Sequence, residues 1–109
     1  MIESFRHKGL KRFFEDGDAR GINPQHAGRI EDILGVLHIA RTIDDIDVAN
    51  FRLHPLQGDL KGIWAVTVRA NWRIIFRFEP ERVNDVDLVD YHWGASHADE
   101  TPAPSWTPG

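Results

Sequence analysis

The chain has 109 residues, of which 41% are hydrophobic and none is cysteine, so it suits one domain with a modest core and excludes a disulfide scaffold and thiolate chemistry. Its formal net charge of −4 disfavours independent binding to nucleic acid, because affinity for phosphates comes from clustered lysine and arginine. No apolar run is long enough to cross a bilayer and the N-terminus lacks the apolar stretch of a signal peptide, so we expect a cytoplasmic protein with no membrane partner.

The first part of the chain predicts a short strand followed by two helices. Residues 2–5 suit the strand, and apolar residues recur at helical spacing over residues 7–16. Asn23 and Pro24 indicate the N-cap and first residue of a second helix, because asparagine can accept from orphan amides and proline has no amide to leave orphaned. An apolar stripe extends this helix to about Arg41, so these positions are expected to form core.

Four strand-like segments follow and predict an antiparallel meander. Residues 51–54 alternate apolar and polar side chains, and residues 64–69 and 74–78 alternate on either side of a short turn. The last segment begins near Val86. A strand, two helices and a four-stranded meander together predict an α+β domain with both helices on one face of the sheet.

The composition changes after the last strand. Glycine, alanine, serine, threonine and proline dominate residues 93–109, and no apolar periodicity continues there. We therefore expect one domain over residues 1–92 and a disordered C-terminal tail over residues 93–109.

Polar side chains of the meander alternate with the apolar ones and should share the sheet face that is turned away from the helices. They are Arg52, His54, Thr67, Arg69, Arg73 and Arg77. The run Asp90-Tyr91-His92 ends the last strand beside this face. Imidazoles suit general acid and base catalysis, guanidiniums suit a phosphate, and a phenol suits stacking or proton transfer. The sequence therefore predicts a catalytic site at this place.

Each of these residues also has a purely structural interpretation. His54 could be a hydrogen-bonded residue at a strand end, and the arginines could be exposed charges that keep the sheet soluble. Arg73 lies next to the turn and could point to either face. A metal site built from His54, Asp90 and His92 has weak support from spacing, so we predict no metal. The other histidines are expected at the surface: His7, His26, His38 and His97.

Several segments of the chain closely resemble the HigB toxins of the RelE-like toxin superfamily. They are Phe5-Arg6-His7-Lys8-Gly9-Leu10, Leu53-His54-Pro55-Leu56-Gln57-Gly58-Asp59, Gly62-Ile63-Trp64-Ala65-Val66-Thr67-Val68-Arg69-Ala70-Asn71-Trp72-Arg73-Ile74 and Asp90-Tyr91-His92. The resemblance covers residues 1–92 in order and leaves only the tail outside.

The resemblance implies a RelE-like fold, with two N-terminal helices packed on one face of a mainly antiparallel four- to five-stranded sheet. It implies a ribosome-dependent endoribonuclease that cuts messenger RNA in the ribosomal A site without a metal or cofactor. In such enzymes the 2′-hydroxyl attacks the adjacent phosphate and leaves a 2′,3′-cyclic phosphate and a 5′-hydroxyl. The implied partners are the 70S ribosome with messenger RNA and a HigA-like helix-turn-helix antitoxin, through which alone the toxin would contact operator DNA.

The resemblance also implies the residues that act. The catalytic positions of the family fall on His54, Arg73, Asp90, Tyr91 and His92. The expected RNA or phosphate contacts are Gln57, Lys61, Arg69 and Asn71. The family commonly has lysine where this chain has Gln57, and Lys61 could replace that charge if the loop folds back. Two functions therefore stay open: an active toxin, or a weakly active or inactive homologue that acts mainly as a binding module in an autoregulatory complex of antitoxin and DNA.

Overall fold

Residues 1–90 form two helices and a four-stranded antiparallel sheet in the computed structural model, which describes these residues only. Tyr91, His92 and the predicted tail lie outside the described residues. The sheet order is β1-β2-β3-β4, so the predicted α+β class and meander are confirmed. The elements are α1 (Lys8–Asp16), α2 (Ala27–Ile39), β1 (His54–Pro55), β2 (Ile63–Arg69), β3 (Trp72–Glu79) and β4 (Arg82–Asp90). Within this range, neither helix has the length and apolar character needed to cross a membrane.

Helix α1 agrees with its prediction and has a cap at each end. The Nδ1 atom of His7 accepts a hydrogen bond from the Leu10 amide at 3.0 Å. At the other end Gly17 takes a left-handed φ of 72°, which glycine adopts without strain, and its amide donates to the last turn. Leu10 is fully buried against the sheet side of the molecule.

Helix α2 begins at Ala27, three residues later than the predicted first helical residue. The Asn23 side chain does accept a backbone hydrogen bond, from the Gln25 amide at 2.9 Å, but it closes a separate turn before the helix. The helix ends at Ile39, within two residues of the predicted end. The predicted N-cap was therefore wrong in position because the same asparagine chemistry serves a turn as well as a helix.

The predicted strand over residues 51–54 is largely absent. Phe51 belongs to a 3₁₀ turn, Ala49–Phe51, and its side chain is buried in the helical core. Arg52 follows with a left-handed φ of 54°, which breaks an extended strand. Only His54–Pro55 pairs with β2, so the alternation of apolar and polar residues here reflects a turn whose side chains happen to alternate in burial.

Residues 2–5 form isolated bridges to β4 instead of the predicted strand. Ile2 pairs with Val83 and Phe5 pairs with Val86, both in parallel. The Glu3 amide donates to the Val83 carbonyl at 2.7 Å. The N-terminal segment is thus fixed along β4 by backbone hydrogen bonds.

The two faces of the sheet carry separate apolar clusters. The larger cluster joins the sheet to α1, α2 and the 3₁₀ turns. The other face was expected to be open, but a second cluster covers part of it, because the loop between β1 and β2 packs two leucines there. The members of this second cluster are Leu56, Leu60, Ile63, Ala65, Ile75 and Val89.

Candidate active site

Strand register places two of the predicted catalytic residues on the face that is turned away from the helices. His54 pairs with Ala65, and Thr67 pairs with Arg73. Directly opposed residues of an antiparallel pair share a face, and so do residues two apart along one strand, such as Ala65 and Thr67. The side chains of His54 and Arg73 therefore lie on the same side of the sheet. They stand two strands apart, about 10 Å in the hydrogen-bonding direction. The prediction that these two side chains share this face is confirmed.

His54 is half-buried and its ring is oriented by the backbone. Its Nδ1 atom lies 2.8 Å from the carbonyl oxygen of Arg52. A carbonyl can only accept, so Nδ1 carries the hydrogen and donates it. The neutral ring then keeps its lone pair on Nε2, which can accept a proton from a ligand.

Arg73 is half-buried and braces the turn between β2 and β3. Its Nη1 atom donates to the Ala70 carbonyl at 2.6 Å and to the Trp72 carbonyl at 3.2 Å. Ala70 has a φ of 52°, as the first central residue of a tight hairpin turn requires. These bonds hold a guanidinium charge at the turn end of the sheet.

Asp90 ends β4 at this same end of the sheet, but its side chain belongs to the opposite face. It pairs with Trp72, and the register of β3 and β4 places both residues in line with Ile74 and Leu88 of the helical side. The prediction that Asp90 ends the last strand is confirmed, and its side chain lies on the face opposite to that of His54 and Arg73. Tyr91 and His92, which follow it, lie outside the described residues.

The predicted RNA or phosphate contacts do not form one cluster. Arg69 and Asn71 are exposed at the turn between β2 and β3, whereas Gln57 and Lys61 are exposed in the loop at the other end of β2. The two ends of β2 are about 20 Å apart. The loop that carries Gln57 and Lys61 contains a 3₁₀ turn, in which the Leu60 amide donates to the Gln57 carbonyl at 3.2 Å.

Arg29 of α2 was missed by the sequence analysis. Its Nη2 atom donates to the carbonyl oxygens of Asn50 and Thr67, the second at 3.1 Å. Its Cζ atom lies 5.2 Å from the centre of the Phe51 ring. The available signal was its position one turn before Ile33, which places it at the edge of the apolar stripe of the helix.

The remaining described histidines have structural contacts. The prediction of a surface position is wrong for His26, which is 7% exposed and whose ring centre lies 6.1 Å from that of Trp72. His38 is exposed as predicted, but its Nδ1 atom accepts from the Ile2 amide at 3.3 Å. His7 is half-buried and caps α1, and His97 lies outside the described residues.

Comparison with known proteins gives two matches that span this site. Residues 3–92 match the model of a family described as the RelE-like toxin of the type II toxin–antitoxin system HigB. The chain is also 45% identical to the Endoribonuclease HigB of Proteus vulgaris over 92 residues. That alignment covers 84% of this chain and all of the relative.

Proposed function

Because this chain belongs to the HigB-like family of RelE-like toxins of type II toxin–antitoxin systems, we propose that it cleaves messenger RNA in the A site of the ribosome. Membership makes the chain an endoribonuclease toxin. The observation that carries the proposal is the extent of the family match, since residues 3–92 include every candidate site residue. A type II toxin has an antitoxin partner, and we propose a HigA-like helix-turn-helix protein, through which the toxin reaches operator DNA.

The proposed reaction is attack of the RNA 2′-hydroxyl on the adjacent phosphate, which yields a 2′,3′-cyclic phosphate and a 5′-hydroxyl. His54 is suited to remove the 2′-hydroxyl proton, because its Nδ1 hydrogen is donated to the Arg52 carbonyl and Nε2 keeps the lone pair. His92 would then protonate the leaving 5′-oxygen. In this scheme two imidazoles perform both proton transfers, and no metal or cofactor is needed.

Charge on the reacting phosphate calls for a cation close to it. We assign this role to Arg73, which shares the face of His54 and whose guanidinium is fixed by the β2–β3 turn. Arg69 and Asn71, exposed beside that turn, would bind neighbouring phosphates or bases. Asp90 would orient a histidine and Tyr91 would stack on or orient the substrate nucleotide.

The test is cleavage of a ribosome-bound message by the purified protein and by the variants His54→Ala and His92→Ala. Loss of one proton-transfer group should lower the cleavage rate by roughly a hundredfold or more. Binding to the antitoxin should persist, which shows that the variants are folded. Undiminished cleavage by both variants would overturn the assignment.

The alternative, a binding module that retains the fold and the antitoxin but has lost catalysis, is favoured by one observation, the glutamine at position 57. Induction of the toxin alone in bacteria separates the two functions. An active nuclease arrests growth and cuts ribosome-bound messages, whereas a binding module does neither.

A further inference from the structure

Arg29 connects three backbone segments: its own helix α2, the 3₁₀ turn that precedes His54 along the chain, and strand β2, with which His54 pairs. Its Nη2 atom donates to the Asn50 carbonyl in the 3₁₀ turn Ala49–Phe51 and to the Thr67 carbonyl in β2. Its guanidinium lies over the ring of Phe51, which is 4% exposed and anchors that turn in the core. One side chain of α2 thus fixes the turn against the sheet.

The fixed turn leads directly into the residue that holds His54. Arg52 follows Phe51 with φ 54° and ψ 50°, a left-handed conformation that an arginine keeps only when its surroundings impose it. In this conformation its carbonyl oxygen accepts the Nδ1 hydrogen of His54 at 2.8 Å. The orientation of the His54 ring therefore depends on the backbone geometry of Arg52.

Arg29 is a poor choice if its purpose is packing alone. It is half-buried, and its Nε atom is buried with no hydrogen-bond partner within residues 1–90. An unpaired buried donor costs stability, and an apolar side chain of similar volume would fill the space without that cost. What an apolar side chain would not supply is the pair of hydrogen bonds to the Asn50 and Thr67 carbonyls.

We propose that Arg29 is a positioning residue for His54. Its hydrogen bonds hold the 49–51 turn against β2, and this turn keeps the Arg52 backbone in the left-handed conformation. The Arg52 carbonyl then accepts the Nδ1 hydrogen of His54 and favours the Nδ1–H tautomer, so Nε2 is the basic nitrogen. The use of Nε2 as a catalytic base rests on the proposed function. The preference of the His54 ring for the Nδ1–H tautomer does not depend on that function. The two claims can be tested separately.

The direct measurement is the ring ¹⁵N spectrum of His54 at a pH where the ring is neutral, with its signals identified by their loss in His54→Gln. The unaltered chain should show mainly the Nδ1–H form. Arg29→Met keeps the volume and removes the donors, so it should give a mixture of tautomers. Arg29→Lys keeps a charge, so its fraction of the Nδ1–H form should lie between those of the unaltered chain and Arg29→Met. Arg20→Lys is the control: it makes the same change at an exposed ion pair with Asp18 and should leave the spectrum unchanged.

Cleavage of a ribosome-bound message supplies the second measurement. Arg29→Met should lower kcat about tenfold with little change in KM, since it disorders a proton-transfer group without removing it. The pH profile of kcat should also change, which a general loss of stability would not cause. If Arg29→Met fails to fold, Arg29→Lys and Phe51→Leu provide the same two readouts.

The outcomes are distinguishable. An unchanged His54 tautomer in the folded Arg29 variants, or a His54 ring that is Nε2–H in the unaltered chain, overturns the positioning role. A changed tautomer with undiminished cleavage, together with an active His54→Ala variant, leaves the positioning role intact and overturns the catalytic role of His54 in the proposed function.

Discussion

At the scale of single residues, Gln57 is the departure that bears most on activity. It stands where the resemblance to HigB toxins leads us to expect lysine, and its side chain is exposed. The 3₁₀ turn Gly58–Leu60 follows Gln57, and Lys61 comes directly after it, with its amide donating to the Gly58 carbonyl at 3.0 Å. The nearest lysine or arginine along the sequence is therefore Lys61, four positions after Gln57.

Replacing Gln57 with lysine should raise cleavage of ribosome-bound message. One exposed contact between a cation and a phosphate contributes about 1 kcal/mol, or roughly a fivefold increase in kcat/KM. Asp59→Asn is the matched control, because it raises the net charge by the same amount on the same loop without placing a cation at position 57. Equal or lower cleavage by Gln57→Lys, or an equal increase in the control, would count against a specific role for this position.

Asp18 offers a test of the local electrostatics. Hydrogen bonds from the Arg20 side chain and amide lower the pKa of Asp18 from 3.8 to about 2. Because the folded pKa is depressed, this ion pair stabilises the fold above the unfolded pKa near 4 and loses its effect as the pH falls toward 2. In a carboxyl NMR titration, Arg20→Gln should move the pKa of Asp18 back toward 3.8.

Asp45 is the internal control in that titration. Its pKa is lowered by hydrogen bonds from the Arg41 and Thr42 amides, which Arg20 does not touch. Its pKa should therefore stay lowered in Arg20→Gln. A pKa of Asp18 that remained near 2 in the variant would mean that the Arg20 side chain is not the cause.

The sequence predicts some site residues well and others not at all. The period of two through β3 favours the observed face for Arg73. His54 lies on the predicted face through its pairing with Ala65, although the alternation over residues 51–54 that predicted this belongs mostly to a turn. Asp90 could be placed at the correct sheet end, and the same period of two, which puts it in line with Val86 and Leu88, also predicts the helical face on which it lies. Arg29 could not be identified as a neighbour of the site, because periodicity does not report where a long side chain ends.

At the scale of elements, long periodic segments were predictable and their junctions were not. Helix α1 and the hairpins could be predicted because apolar residues recur at a regular spacing along each of them, so many residues give the same signal. The start of α2 and the region around Arg52 depend on single hydrogen bonds and a single positive φ, which leave no repeated signal. The second apolar cluster was also missed, since its loop leucines have no partner along the sequence.

The junction between α1 and the following loop allows an element-scale prediction. A Cβ atom at Gly9 would lie 2.9 Å from the Gly21 carbonyl oxygen and 2.8 Å from Cε1 of His7. Gly9→Ala should therefore lower the free energy of unfolding by about 1–3 kcal/mol, because the backbone at Gly21 must move. Urea denaturation measures the change.

Gly35 provides the matched control within α2. A Cβ atom there would meet nothing within 4 Å. Gly35→Ala should raise the free energy of unfolding by about 0.5–1 kcal/mol, because alanine loses less conformational freedom in a helix. If the Gly9→Ala protein were as stable as the Gly35→Ala protein, the close approach of the backbone at Gly9 to the backbone at Gly21 would not prevent a side chain at position 9.

At the scale of the whole molecule, the distribution of charge bears on whether the toxin can bind RNA without the ribosome. The formal net charge is −4, yet all 13 lysine and arginine residues lie before residue 93. The candidate RNA contacts are spread along both ends of β2. An acidic protein with dispersed cationic contacts gains little from free RNA, so we expect the ribosome to present the substrate.

The same message should therefore be cut much faster on 70S ribosomes than in solution. Positioning of the RNA in the A site should account for a rate at least about a hundredfold higher. The measurement compares cleavage of one transcript with and without ribosomes, at equal salt and toxin concentration. Similar rates in the two reactions would show that the toxin binds RNA adequately by itself.

The bridges from Ile2 and Phe5 to β4 have a consequence for the free toxin. They occupy backbone groups along one margin of the sheet, and at the other margin β1 has only the two residues His54–Pro55. Among residues 1–90, the bridges cover the first part of β4 and β1 ends after two residues, so each margin is shortened as a template on which another chain could add a strand. We expect a toxin that has separated from its antitoxin to remain dispersed rather than to join copies of itself by sheet extension.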